Sequence, residues 1–160
     1  MRTLLLCALL FGAGCYSYQL RKPTVTPLEA FGPVASDLAE VCVMRPHWIA
    51  WAVTAAVRDN GQLVGATRGD TYFCYLVRPG HHQIESETVD MTERAELDAA
   101  PGRRYWLHQL VDNYIAVVRT RLAWVDEPAA RELIAKCGYR ELSGVPGQER
   151  LPSGDPIASR

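Results

Sequence analysis

The chain has 160 residues, of which 48% are hydrophobic and 22% charged, a composition typical of a globular protein. The length favours a single domain. The formal net charge of −1 argues against a nucleic-acid partner, because nucleic-acid-binding proteins normally carry a basic field. No apolar run reaches the roughly 18 to 20 residues of a membrane-spanning helix, so we expect that the mature chain does not cross a membrane.

The first fifteen residues have the three parts of an export signal. Arg2 is positively charged, residues 4–11 form an apolar segment, and residues 12–14 are the small residues Gly-Ala-Gly that directly precede Cys15. The pattern resembles the lipobox of bacterial lipoprotein signal peptides, in which the cysteine sulfur receives a lipid and a peptidase then cuts before the cysteine. The resemblance implies a signal peptide over residues 1–14 and a lipid anchor on Cys15. The alternative is an ordinary secretory leader that the general signal peptidase removes.

The residues after Cys15 indicate a spacer and a destination. Tyr16 follows the cysteine, whereas an Asp at this position retains lipoproteins in the inner membrane under the enterobacterial family rule, so we expect the outer membrane. Prolines and a glycine break any regular element between residues 15 and 38, which predicts a flexible tether. The mature protein would then be fixed to the cell envelope by lipid and face either the periplasm or the outside.

From Ala39 onward the sequence is typical of short β-strands joined by tight turns. Asn60-Gly61 is the strongest hairpin signal, because both turn residues tolerate positive φ, and Asp112-Asn113 predicts a second hairpin. The aromatic run at residues 71–77 indicates a central strand buried on both faces. Alternation and β-branched content predict strands at residues 39–45, 51–57, 62–67, 71–77, 82–87, 93–97, 104–111 and 114–122.

One helix follows the strands. Asp126 is suited to cap its start and Gly138 to end it. Its apolar face comprises Ala130, Leu133, Ile134 and Cys137. We therefore predict a mainly β fold, a small antiparallel β-sandwich over residues 39–142 with one C-terminal helix. Glycine, proline and charged residues dominate residues 143–160, which we expect to be a disordered tail.

Three cysteines remain once Cys7 has left with the leader and Cys15 has been acylated. They are Cys42, Cys74 and Cys137. In an oxidising compartment an odd number implies one pair and one free thiol, or three buried thiols. We favour a disulfide between Cys42 and Cys74, with no disulfide or a pair involving Cys137 as alternatives.

The middle of the chain resembles a family of small bacterial lipoproteins that is known by a domain of unknown function. The resemblance lies in the order of four segments. A strand ends in Arg (residues 41–45), a hairpin follows (58–65), an aromatic strand leads into Pro-Gly-His-His (72–84), and a Pro-Gly turn precedes a Tyr-Trp strand (101–107). The layout, which covers residues 39–142, is also similar to the β-sandwich repeats of envelope proteins that carry a Pro-Glu-Gly-Ala turn. The resemblance implies a fold and offers no catalytic residue.

Adjacent histidines, His81 and His82, are the most conspicuous polar pair. Successive residues on a strand point to opposite faces, so the two cannot readily bind one metal ion. Neither a CxxC spacing nor a cluster of histidines occurs, and we expect no metal site and no other cofactor. His47 and His108 are isolated in sequence and are interpreted as structural.

Three further patterns have both a functional and a plainer structural interpretation. The carboxylates at positions 90, 93, 96 and 98 could form a hydrolytic pair, but we expect them on a solvated face. The tripeptide Arg-Gly-Asp at residues 68–70 matches a cell-adhesion motif and also fits a turn. Six aromatic residues could line a ligand groove, but we expect them in the core: Trp48, Trp51, Tyr72, Tyr75, Tyr105 and Trp106.

These patterns provide no catalytic constellation. We expect a non-enzymatic envelope module that binds an envelope protein or glycan, or that has a structural role. The alternative is a small envelope hydrolase or accessory domain that uses His82, His108 and a carboxylate, which requires these groups to converge in one cleft.

Overall fold

The computed structural model describes residues 18–23, 32–89, 91–114 and 117–145, and for residues 112–114, 117 and 118 it describes the backbone alone. The signal peptide, Cys15 and most of the predicted tail lie outside the described residues. The strands are β1 (Gln19–Arg21), β2 (Ala39–Arg45), β3 (Ala55–Asp59), β4 (Gln62–Thr67), β5 (Thr71–Val77), β6 (Gly80–Glu87), β7 (Thr92–Ala99), β8 (Arg104–Tyr114), β9 (Val117–Val125), β10 (Gly138–Tyr139) and β11 (Glu141–Gly144). One helix, α1 (Glu127–Ile134), lies between β9 and β10.

Two sheets form the body of the fold. The four-stranded sheet is antiparallel with strand order β4-β3-β6-β7, and the five-stranded sheet has the order β10-β5-β2-β8-β9. β2 pairs antiparallel with β5 but parallel with β8, because β3 to β7 supply the long crossover that a parallel pair needs. The predicted mainly β sandwich with one helix is confirmed, with the difference that one of its sheets is mixed.

The core lies between the two sheets. β2 is the central strand, and all seven of its residues are buried, whereas the outward residues of β5 are only half-buried. Alternate residues of the strands point inward and meet across the sandwich, as the period of two requires. The core residues are Ala39, Val41, Val43, Val57, Val64, Phe73, Tyr75, Val77, Ile84, Leu97, Ala99 and Leu107.

A buried polar network also joins the sheets. The Gln109 side chain of β8 bonds to the hydroxyls of Thr67 on β4 and Ser86 on β6. None of the three side chains is exposed to solvent. Because a buried polar group is costly unless it has a partner, this network favours one register between the sheets.

The helix covers the outer face of the five-stranded sheet. Asp126 caps it, as predicted, because its side chain accepts a bond of 3.0 Å from the N–H of Ala129. Ala130 and Ile134 pack on a second apolar cluster with residues of β2 and β8 (Cys42, Met44 and Trp106). The helix ends one turn before the predicted Gly138, so Cys137 lies in the turn that follows it. Within the described residues, no helix has the length and apolar character needed to cross a bilayer.

The folded region begins earlier in the chain than the sequence predicts. β1 lies in the segment predicted to be a flexible tether, and it pairs antiparallel with β11. β11 in turn extends to Gly144, two residues beyond the predicted end of the domain. The tether prediction is therefore wrong for residues 19–21. Their sequence has no strong strand pattern, but the backbone of β11 supplies their hydrogen-bond partners.

Two local predictions are also wrong. Trp51 and Val53 were expected in a strand, but β3 begins only at Ala55 and both residues lie in a loop. Asp112-Asn113 was expected to be a turn, but both residues lie inside β8, opposite Arg119 and Val118 of β9. In contrast the Asn60-Gly61 hairpin is confirmed, with φ of 48° and 81° at its two residues.

Candidate functional site

A loop at one end of the sandwich presents two tryptophans to solvent. The tryptophan loop, residues 46–54, connects β2 to β3. The side chains of Trp48 and Trp51 are 71% and 68% exposed, although tryptophan is usually largely buried. Both residues were expected in the core, and that expectation is wrong. An exposed aromatic pair on one short loop is a feature of interaction surfaces.

A buried arginine holds the tryptophan loop. Arg45, the last residue of β2, has no exposed surface. Its guanidinium donates to the carbonyls of Val53 at 2.8 Å, Ile49 at 3.1 Å and Ala50 at 2.8 Å. Burial lowers the pKa of Arg45 to about 10, although the charge of Asp70 acts in the opposite direction. The loop backbone thus supplies acceptors to both terminal nitrogens of the buried cation, whereas its Nε has no hydrogen-bond partner among the described residues.

Backbone contacts keep the tryptophan loop in place. Ala50 has φ of 53°, a left-handed conformation that is unfavourable for a residue with a Cβ. A Cβ at Gly69, in the β4–β5 turn, would lie 3.0 Å from the Cα of Trp51 and 3.1 Å from the Cα of Trp48. Such close approach leaves the loop little freedom, and local strain of this kind is typical of functional sites.

Arg68 connects the tryptophan loop to the start of the described chain. Its Nε donates to the Thr54 hydroxyl at 2.8 Å, and its Nη2 donates to the carbonyl of Tyr18 at 3.0 Å. The Arg-Gly-Asp tripeptide therefore forms the turn that was expected at residues 68–70, and its arginine is used inside the protein. The chain enters the domain beside the tryptophan loop, because a single arginine side chain reaches both.

A cleft of about 780 Å³ lies at the other end of β2. The start of β8, the end of β9 and the turn between β7 and β8 form its walls. Arg104 of this cleft pairs with Glu40 at the beginning of β2, whereas the tryptophan loop follows Arg45 at its end. The cleft therefore opens towards the start of β2 and the tryptophan loop lies at its end, although Trp124 is level with Val43 through its partner Leu107.

Aromatic rings line the cleft. Tyr105 and Trp124 meet edge to face with centroids 6.2 Å apart, and Trp124 is 36% exposed. The indole N–H of Trp124 donates to the carbonyl of Glu96 at 3.0 Å, and the Tyr105 hydroxyl accepts from the N–H of Ala100 at 2.8 Å. These bonds fix the ring orientations. Tyr105, which was predicted to be a core residue, is half-buried and packs against the core. Trp124 was not predicted, because one tryptophan in an alternating strand gives no signal of its own.

Carboxylates surround the rings of the cleft. Glu96, Asp98, Asp126 and Glu127 all line it. His81 bridges two of them, with Nδ1 3.0 Å from Asp98 and Nε2 3.1 Å from Glu96. The hydrogen bond to Asp98 is the main cause that raises the pKa of His81. The carboxylates predicted to lie on a solvated face are exposed at positions 96 and 98. The prediction is wrong for Glu93, which is half-buried because it alternates with Glu96 and Asp98 along β7, and Asp90 lies outside the described residues.

His82 is buried in a closed hydrogen-bonded group. Its Nδ1 is 2.9 Å from both carboxylate oxygens of Asp59, and its Nε2 donates to the carbonyl of Arg78 at 2.8 Å. The Tyr75 hydroxyl donates to Asp59 at 3.3 Å. Burial raises the pKa of Asp59, while the bonds from His82 and Tyr75 act against it. Both ring nitrogens of His82 are used within the fold, so the group resembles a structural support more than a catalytic dyad.

The structure does not bring His82 and His108 together. His82 points into the sandwich with Ile84 and Ser86, which are also buried. His108 alternates with Leu107, a core residue, so it lies on the outer face of the five-stranded sheet, where its ring is 5.9 Å from that of His47. The five-stranded sheet separates the two groups, and the cleft that the hydrolase alternative requires is not formed by these residues.

Cys42 and Cys74 form a disulfide between β2 and β5, the pairing favoured from the sequence. They are directly opposite in the strand register. Within the described residues, Glu40 and these two cysteines are the one group of potential metal ligands close enough to share an ion. Sulfurs in a disulfide are not thiolates, so they cannot bind a metal ion in this way.

Cys137 is free, and burial raises the pKa of its thiol to about 12.

Comparison with known proteins gives no relative. No family model, no curated protein and no solved structure matches this chain.

Proposed function

We propose that the protein is a lipid-anchored lipoprotein of the bacterial cell envelope that acts as a non-enzymatic binding module. The export signal and Cys15 support the anchor, and Tyr16 favours the outer membrane. The observation that carries the binding role is the aromatic cleft beside Trp124. Its Arg104 side lies at the far end of β2 from the place where the chain enters the domain. A domain anchored through its first residues would present this cleft away from the membrane.

The chemistry of the cleft favours an envelope glycan as the ligand. The rings of Tyr105 and Trp124 offer apolar surfaces to the C–H faces of a sugar. The carboxylates of Glu96 and Asp98 are acceptors for sugar hydroxyl groups. An envelope protein is the alternative partner.

Sedimentation of the mature lipoprotein with isolated peptidoglycan sacculi tests this proposal. We expect the natural chain to sediment with the sacculi and Trp124→Ala to bind about tenfold more weakly, since one aromatic stacking contact contributes roughly 1 to 1.5 kcal/mol. Trp51→Ala is the matched control, because it removes an exposed tryptophan from the other end. Binding that is absent in the natural chain, or equal in both variants, would contradict a glycan site in the cleft. A cross-linked envelope protein that depends on Trp124 would instead support the alternative partner.

A further inference from the structure

We propose that the tryptophan loop rests on the lipid bilayer that holds the Cys15 anchor, with Trp48 and Trp51 at the boundary between the headgroups and the acyl chains. This inference depends on the proposed lipid anchor and adds a defined orientation to it. The occupant of the exposed aromatic surface would be the membrane itself and not a second protein.

The side chains of the loop suit the interface between lipid and water. Tryptophan is enriched at this interface, because its ring is apolar and its indole N–H can remain hydrated. Trp48 and Trp51 have the two most exposed tryptophan side chains of the protein, at 71% and 68%. They project from a loop that is held by Arg45 and by the close approach of Gly69, so insertion would require little additional ordering.

The position of the anchor identifies the occupant. Cys15 is three residues before Tyr18 in the sequence, and three residues span at most about 11 Å. The carbonyl of Tyr18 is held by Arg68, which also bonds to Thr54 of the tryptophan loop. The acylated residue is therefore within a short distance of the loop, and the bilayer that takes up the acyl chains must be close to the two tryptophans.

The paired strand β1 strengthens this geometry. A free tether of more than twenty residues would let the domain move far from the membrane. Instead Gln19, Leu20 and Arg21 pair with β11, so the chain is already part of the fold four residues after Cys15. A short spacer and an aromatic loop at the same end favour a domain seated on the membrane, with its cleft turned away.

Quenching by brominated lipid tests the orientation. The acylated mature protein is reconstituted in vesicles of phosphatidylethanolamine and phosphatidylglycerol with brominated acyl chains, and its tryptophan emission is compared with that in the same vesicles without bromine. Bromine quenches indoles only at close range. Trp106 is buried beneath α1 and Trp124 is at the cleft, so we expect about half of the emission to be lost, from two of the four tryptophans.

Variants distinguish the loop from the rest of the protein. In Trp48→Ala/Trp51→Ala the quenching should disappear, whereas Trp124→Ala should keep it. Both truncated side chains in the loop are exposed, so the fold should be retained, and an unchanged circular dichroism spectrum checks this.

Quenching reports the orientation of the domain, and the intact mass of the protein reports whether it is acylated. This inference would be overturned if the emission of the acylated natural chain were not quenched, or if the double variant were quenched as strongly as the natural chain. Neither result would contradict the lipid anchor. A purified protein whose intact mass contains no acyl groups would contradict the anchor, and the inference with it.

Discussion

Arg68 donates a hydrogen bond of 3.0 Å to the carbonyl of Tyr18, and this contact fixes the point at which the chain enters the domain. The two residues are fifty positions apart in sequence. The bond joins the segment that follows the proposed anchor to the β4–β5 turn. The chain, which was expected to be a flexible tether up to residue 38, is thereby held against the domain at Tyr18.

Loss of this bond should loosen the entry segment. We expect Arg68→Met to increase amide hydrogen exchange at residues 18–21 by about tenfold, because a side-chain bond to a partly buried carbonyl contributes roughly 1 to 1.5 kcal/mol. Exchange in the central strand β2 should change little. Arg94→Met is the control, since Arg94 pairs with Glu85 on an exposed sheet face. Equal exchange at residues 18–21 in both variants would show that the Arg68 contact does not hold the segment.

Relief of strain at Ala50 should stabilise the protein. Glycine adopts positive φ without the steric penalty that a Cβ brings, so Ala50→Gly should raise the free energy of unfolding by up to about 1 kcal/mol. Ala56→Gly is the matched control, because Ala56 is buried in β3, where the same change should be destabilising by about 1 kcal/mol or more. Urea unfolding of both variants measures the difference. A destabilised Ala50→Gly would mean that the left-handed conformation is not strained.

Removal of the disulfide should lower stability without loss of the fold. The bond closes a sequence separation of 32 residues, and disulfides of this kind contribute about 2 to 4 kcal/mol. We expect Cys42→Ala/Cys74→Ala to lose about that amount in chemical denaturation. The free Cys137 provides the control, since Cys137→Ala leaves the crosslink intact. In the native natural chain the Cys137 thiol should react slowly with alkylating reagents, because burial raises its pKa to about 12.

The pKa values of two histidines should be shifted in opposite directions from the ordinary value of 6.5. The bond to Asp98 raises the pKa of His81, so its stabilising contribution is complete below pH 6.5 and is lost as the pH rises through the raised value. Burial lowers the pKa of His108, with the charge of His47 as a second cause. Stability associated with His108 is therefore lost as the pH falls from 6.5 through the lowered value.

NMR titration of the imidazole C–H signals measures both shifts. Asp98→Asn should move the pKa of His81 down towards its ordinary value and leave that of His108 unchanged. If His81 titrates at or below 6.5 in the natural chain, the bridge between Asp98 and Glu96 does not exist in solution.

Local patterns were sufficient for most of the sheet. β2, β4 and β5 have the bounds that alternation and turn residues predict, and the Asn60-Gly61 hairpin is where two adjacent residues tolerate positive φ. The cap of α1 at Asp126 follows from one side chain and its neighbours. Such features depend on residues that are close in sequence, which is why they can be read without a structure.

The candidate sites depend on distant residues and were not predictable in the same way. Trp51 and Val53 alternate as in a strand. Arg45 instead binds the carbonyls of residues 49, 50 and 53 and holds this segment as a loop. β1 has no distinctive pattern and exists because β11 pairs with it. The cleft unites Gly32, Glu96, Tyr105 and Trp124 from four separate segments, and only the topology of the sandwich brings them together.

Mass spectrometry of the amino-terminal peptide is the most direct test of the lipid anchor. The natural chain and Cys15→Ala are produced in a bacterial host, and their membrane and soluble fractions are digested and analysed. We predict a natural peptide that begins at Cys15 with acyl groups on its sulfur and amino group, found in the membrane fraction, and no acylated peptide from the variant. An unmodified Cys15 in a soluble natural protein would contradict the lipoprotein assignment and leave a secreted domain in its place.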